Sequence, residues 1–106
     1  MPPLRSQIVI LTAQEGQGQA VINAHLQLAD WIQQQPGAVV FEFHQLTDEP
    51  DTFLLYELWE TLQAREQVLQ TERMKQFFAQ LQSLVLAPPT EMQGQLLTEF
   101  VSRSSA

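Results

Sequence analysis

Few side chains in this sequence can do chemistry. There are two histidines, one tyrosine and no cysteine. Without cysteine there is no disulfide framework, no thiolate metal site and no thiol nucleophile. His25 and His44 lack a ligand-like spacing to each other, which gives little support to a metal centre. What remains is proton transfer by imidazole, carboxylate and phenol in an apolar setting. Tyr56 and Glu57 stand side by side in the apolar run Phe53-Leu54-Leu55-Tyr56-Glu57-Leu58-Trp59-Glu60. A carboxylate in such a run must be paired or have a raised pKa. Arg65 and Arg73 are its candidate partners.

Each candidate has a plain structural role beside its chemical one. His25 falls inside an apolar helical stripe, between Val21 and Leu28/Ile32. A buried imidazole there needs a hydrogen-bond partner. A backbone carbonyl would satisfy it as a core residue, and a ligand would make it a pocket residue. Trp59 is a pocket wall or a core or interface aromatic. Tyr56 lies on the opposite strand face from Glu57 and Trp59, so Tyr56 and Trp59 cannot both face one pocket on a regular strand. His44 sits near a strand end, where solvent contact is common. Phe78 belongs to an aromatic pair on a helical stripe, as core or as a pocket wall.

The elements that hold these residues follow from periodicity and punctuation. Residues 7–13 are a short β-branched run and read as a strand. Gln14–Gly18 is a connection whose two glycines lack the Lys-Ser/Thr ending of a phosphate loop. Residues 19–35 carry a helical stripe that stops at Pro36-Gly37. Residues 38–46 alternate, with Val39, Phe41 and Phe43 on one face and Val40, Glu42 and His44 on the other. Thr47–Asp51 is a turn cluster, which makes 53–59 the second strand of a hairpin. Thr61 can cap a short helix over 62–70. A second helix over 72–86 carries Met74, Phe77, Phe78, Leu81, Leu84 and Val85. Pro88-Pro89 ends the helical part. A last strand runs from Thr90 to Leu97 and extends toward Phe100, with Gly94 as a candidate bulge.

This order is the split β-α-β pattern of an α+β, ferredoxin-like fold: an antiparallel sheet with helices on one face. At 106 residues a single domain over 1–106 is expected, with flexible ends at 1–5 and 102–106. The bare sheet face would expose an apolar patch. A homodimer packed sheet against sheet would cover it. Lys+Arg number 5 against 12 Asp+Glu, a net charge of −7. That balance argues against nucleic acid or an anionic membrane as partner. The N-terminus has no apolar signal core, so a cytoplasmic location is expected.

Across residues 37–78 the sequence resembles the antibiotic biosynthesis monooxygenase family of dimeric α+β barrels. The matching residues are Pro36-Gly37, Phe41-Glu42-Phe43-His44, the run Phe53–Glu60, Ala64 and Met74-Lys75-Gln76-Phe77. The Tyr-Glu-x-Trp signature at Tyr56–Trp59, followed by a short and then a long helix, is the most specific. The resemblance implies a small homodimer that oxidises quinols or polyphenols with O₂ and uses no metal, flavin or haem. For that chemistry this chain's own residues offer His25 and Glu57 as catalytic candidates, with Trp59, His44, Tyr56 and Phe78 around a small aromatic substrate. Positions where many such proteins carry histidines on the two helices hold Val68 and Arg73. The strand-3 asparagine of the polyketide-oxidising members is Leu55. Counterparts of the haem-degrading branch's functional positions are Val9, Val68 and Phe78, which disfavours that activity. A dimeric module that binds a small ligand or a protein without turnover is the second expectation.

Overall fold

A computed structural model describes residues 3–99. Its elements are β1 (Arg5–Thr12), α1 (Gly18–Ile32), β2 (Ala38–Gln45), β3 (Thr52–Trp59), α2 (Leu62–Leu69), α3 (Glu72–Gln82) and β4 (Thr90–Gln95). The strands form one antiparallel sheet in the order β2-β3-β1-β4. This is the α+β, ferredoxin-like architecture that the strand and helix order predicts, and the helices lie on one face.

The sheet's inner face explains the apolar run in β3. Phe53, Leu55, Glu57 and Trp59 all point inward and are buried. Gln7, Val9 and Leu11 of β1 join them across the ladder. On α1, Val21, Ala24, His25, Leu28 and Ile32 are buried at helical spacing and close over this face. Met74, Phe77 and Leu81 do the same from α3. Two threonines start the later helices. Thr61 Oγ1 accepts from the Ala64 amide at 3.0 Å, and Thr71 Oγ1 from the Met74 amide at 3.3 Å. Each satisfies an amide that the first helical turn leaves unpaired.

Several boundaries differ from the sequence-based expectation. The long helix stops at Gln82 rather than near 86, because the chain then bonds to β1. The Leu86 amide donates to the Thr12 carbonyl, the Gln14 amide to that of Leu84, and Ala13 bridges Val85. The bulge is in β2, between Ala38 and Val40, and not at Gly94. It leaves Val39 exposed, away from the inward face of Phe41 and Phe43. Gly94 instead sits in unbroken register opposite Ser6, where an added Cβ would lie 2.9 Å from the serine hydroxyl. Arg5, assigned to a flexible end, pairs with Trp59 in the sheet. The expected end at 102–106 and the extension of β4 to Phe100 lie outside the described residues. Gly37 ends the α1–β2 turn with φ +85° and backs onto Ala64 of α2.

Candidate active site

A cavity of about 650 Å³ lies between the helices and the inner face of the sheet. Its walls are mainly apolar, with Leu28 and Ile32 from α1, Leu55 from β3, and Phe41, Trp59 and Phe77 as aromatic panels. His25, Glu57, Arg65 and Glu91 bring polar or charged atoms to it. Phe78, half exposed, and the segment Leu86–Pro89 also line it.

His25 is 1% exposed and fixed on three sides. Its ring stacks on Phe43 with centroids 3.9 Å apart and meets Phe77 edge-on at 5.1 Å. Nδ1 lies 2.9 Å from the Val21 carbonyl oxygen. A carbonyl only accepts, so Nδ1 carries the proton and Nε2 keeps its lone pair. Burial lowers the pKa from its ordinary 6.5, against an opposing pull from the Val21 bond. Thus the ring is held neutral at pH 7 with a fixed tautomer. The core role and the cavity role expected for His25 coexist, since one nitrogen serves each.

Glu57 is 6% exposed. Its Oε1 accepts from Trp59 Nε1 at 2.7 Å. Arg65 Nε stands 3.6 Å from the same oxygen, an ion-pair contact longer than a hydrogen bond. Arg65 Nη2 reaches Glu91 Oε1 at 3.9 Å, and Gln7 Nε2 donates to that oxygen at 3.1 Å. Burial raises the Glu57 pKa above 4.5. The Trp59 bond and the Arg65 charge pull it down, and Glu91 adds to the rise. Glu57 Oε2 and His25 Nε2 have no hydrogen-bond partner among the described residues.

The sheet register relates the two groups. Phe43, under the His25 ring, pairs with Leu55, and Phe41 pairs with Glu57. Glu57 is therefore one inward position beyond the histidine, about 7 Å along the strand.

The structure brings His25, Glu57, Trp59 and Phe78 to one cavity, but not Tyr56 or His44. Tyr56 points to the outer face because the strand alternates without a bulge. His44 shares that outer side in β2, is largely exposed and lies 3.5 Å from Glu42. Arg65 was legible as a partner, since a carboxylate in an apolar run demands a cation. Arg73 instead lies over the Trp31 ring at 5.9 Å. Glu91 and Gln7 gave no such signal. They reach the cluster only through the β1–β4 register, which sets Val9 opposite Glu91.

The profile of the antibiotic biosynthesis monooxygenase family matches residues 6–80, and the chain belongs to this family. No curated protein matches the chain. Solved structures share its fold at low identity. A Pseudomonas aeruginosa protein is 21% identical with a TM-score of 0.85, covering 92% of this chain and 98% of that one. A Nitrosomonas europaea protein named for the same family is 18% identical with a TM-score of 0.86, covering 92% and 94%. A similarly named Deinococcus radiodurans protein is 17% identical with a TM-score of 0.83, covering 94% and 99%.

Proposed function

We propose that the chain is a cofactor-independent monooxygenase of small aromatic or quinol-like substrates. The observation that carries this is the pairing of a neutral, tautomer-fixed His25 with Glu57 in one aromatic-walled cavity. His25 Nε2 takes the proton of a substrate hydroxyl, and the resulting electron-rich ring reduces O₂ directly. For a quinol, the ring carbon then forms a C–O bond to oxygen. Loss of water from the hydroperoxide gives a hydroxyquinone. Quinol plus O₂ equals hydroxyquinone plus water, so the substrate supplies every electron. The apolar walls keep water from the intermediate and strengthen the polar contacts. Glu57, oriented by Trp59 and Arg65, positions a second substrate hydroxyl at Oε2.

The same reading includes a homodimer. Ile8, Ile10, Leu54, Tyr56 and Met92 share the outer sheet face, and a second copy packed there would cover it. The test is O₂ uptake by metal-free protein with a panel of hydroquinones. Uptake above the uncatalysed rate that falls at least 100-fold in His25→Ala supports the proposal. Background uptake in both proteins refutes it. A second reading, ligand binding without turnover, is favoured by the helix positions: Val68 is packed in the core and Arg73 covers Trp31. Ligand-induced thermal shifts without O₂ uptake would select it, and a haemin titration with a Soret shift would return haem to consideration.

A further inference from the structure

The charges that line the cavity do not balance. Among the described residues, four ionisable side chains reach it: His25, Glu57, Arg65 and Glu91. Burial keeps His25 neutral. Two carboxylates then face one guanidinium, which stands 3.6 Å from Glu57 and 3.9 Å from Glu91. Arg73 lies over Trp31 and Arg5 pairs opposite Trp59 in the sheet, and neither lines the cavity. Hydrogen-bonding groups of both kinds are present, since Arg65 Nε is a buried donor without a partner and Gln82 adds an amide. Charge is the one-sided property. Glu57, 6% exposed, commits Oε1 to Trp59 and Arg65 and leaves Oε2 unpartnered. The Glu91 side chain is more than half accessible.

From this we infer that the cavity selects by charge: it takes an aromatic molecule carrying a protonated amine and rejects one carrying a carboxylate. The ammonium supplies the missing positive charge at the end of the cavity where Arg65 joins Glu57 to Glu91. A buried carboxylate short of countercharge is costly, and a cation arriving there relieves it. The rings of Phe41, Trp59 and Phe77 in the lining also favour a cation over an anion. A ligand carboxylate would bring a third negative charge to one guanidinium already shared by two. Glu91 is the residue that sets this specificity, because Glu57 and Arg65 cancel and Glu91 supplies the surplus. One unbalanced charge within about 5 Å is worth tenfold or more in affinity. The selectivity rests on the cavity being the substrate site, as proposed above, and it does not require turnover.

The test is calorimetric titration at pH 7.5 with three probes on one ring system: 2-naphthylmethylamine, 2-naphthalenemethanol and 2-naphthoic acid. The amine should bind at least tenfold tighter than the alcohol, and the acid weakest of the three. Glu91→Gln keeps the side chain's shape and removes the surplus charge. It should shrink the preference for amine over acid at least threefold and leave the alcohol within twofold, with circular dichroism confirming the fold. Equal affinities overturn the inference. So does a tighter acid, because Arg65 would then be serving the ligand's carboxylate. Undetectable binding of the amine, or an undiminished preference in Glu91→Gln, also overturns it. O₂ uptake with hydroquinones beside equal probe affinities would leave the monooxygenase proposal standing alone. An amine preference without such uptake would leave the charge selectivity standing alone.

Discussion

At the residue scale, His25 and Glu57 show how one buried group can be both structural and available. Each commits one polar atom to the protein and leaves one over. The histidine carries a pH signature. Its folded pKa lies below the 6.5 of the unfolded chain. The unfolded state therefore binds the extra proton first, and stability is lost as pH falls from 6.5 through the folded value. Thermal melts from pH 8 to 5 should show a steeper acid decline in wild type than in His25→Phe. Equal slopes would contradict the burial cause. Glu57 has the opposite sign, with its stability cost growing as pH rises above 4.5. Trp59→Phe removes its hydrogen-bond donor and should cost about 1–3 kcal/mol in urea unfolding. Much of this was legible. Helical spacing placed His25 in the stripe, and an unpaired carboxylate in β3 pointed to Arg65 or Arg73, of which the structure selects Arg65. Which nitrogen of His25 is free was not legible, because a carbonyl one turn earlier decides it.

At the element scale, local chemistry predicted most segments and tertiary pairing corrected the rest. Proline and glycine marked the end of α1, and Thr61 marked the start of α2; the matching cap at Thr71 is a finding of the structure. Thr71→Ala should lower stability by about 1 kcal/mol through the lost cap. The end of α3 could not be read, since helical periodicity continues through Val85 while the backbone there already pairs with β1. The β2 bulge was equally silent. Val39 fits the alternation by type, and only the shift between Ala38 and Val40 displaces it. Gly37 is required twice over. Its φ is +85°, and an added Cβ would lie 2.5 Å from the Ala64 Cβ. Gly37→Ala should cost about 2–4 kcal/mol from backbone strain and overlap combined. Ala64→Gly in that background should recover the overlap part only. Full recovery would mean that the backbone strain is negligible.

At the scale of the whole molecule, the order of elements was enough to reach a ferredoxin-like antiparallel sheet with the helices on one face, and the structure adds the strand order β2-β3-β1-β4. The cavity was legible as a consequence of that layering, but its polar end was not, because β4 contributes Glu91 from a strand exposed along its whole length. The outer face carries the proposed self-association. Tyr56→Glu should convert the dimer to monomer in light scattering while leaving the cavity intact, since Tyr56 points away from it. The stitching of residues 84–86 to the end of β1 has a kinetic consequence. Three hydrogen bonds hold this part of the cavity lining: Leu86 N to Thr12, Gln14 N to Leu84, and Gln14 Nε2 to Val85 at 3.1 Å. This stretch of the cavity lining is thus fixed, while Phe78, which also lines the cavity and meets Phe77 edge-on, is half exposed. Exposed side chains rotate in picoseconds to nanoseconds, whereas loops and domains take far longer. Ligand should therefore enter in a single fast phase whose rate rises in proportion to its concentration, with no plateau set by a slower opening step.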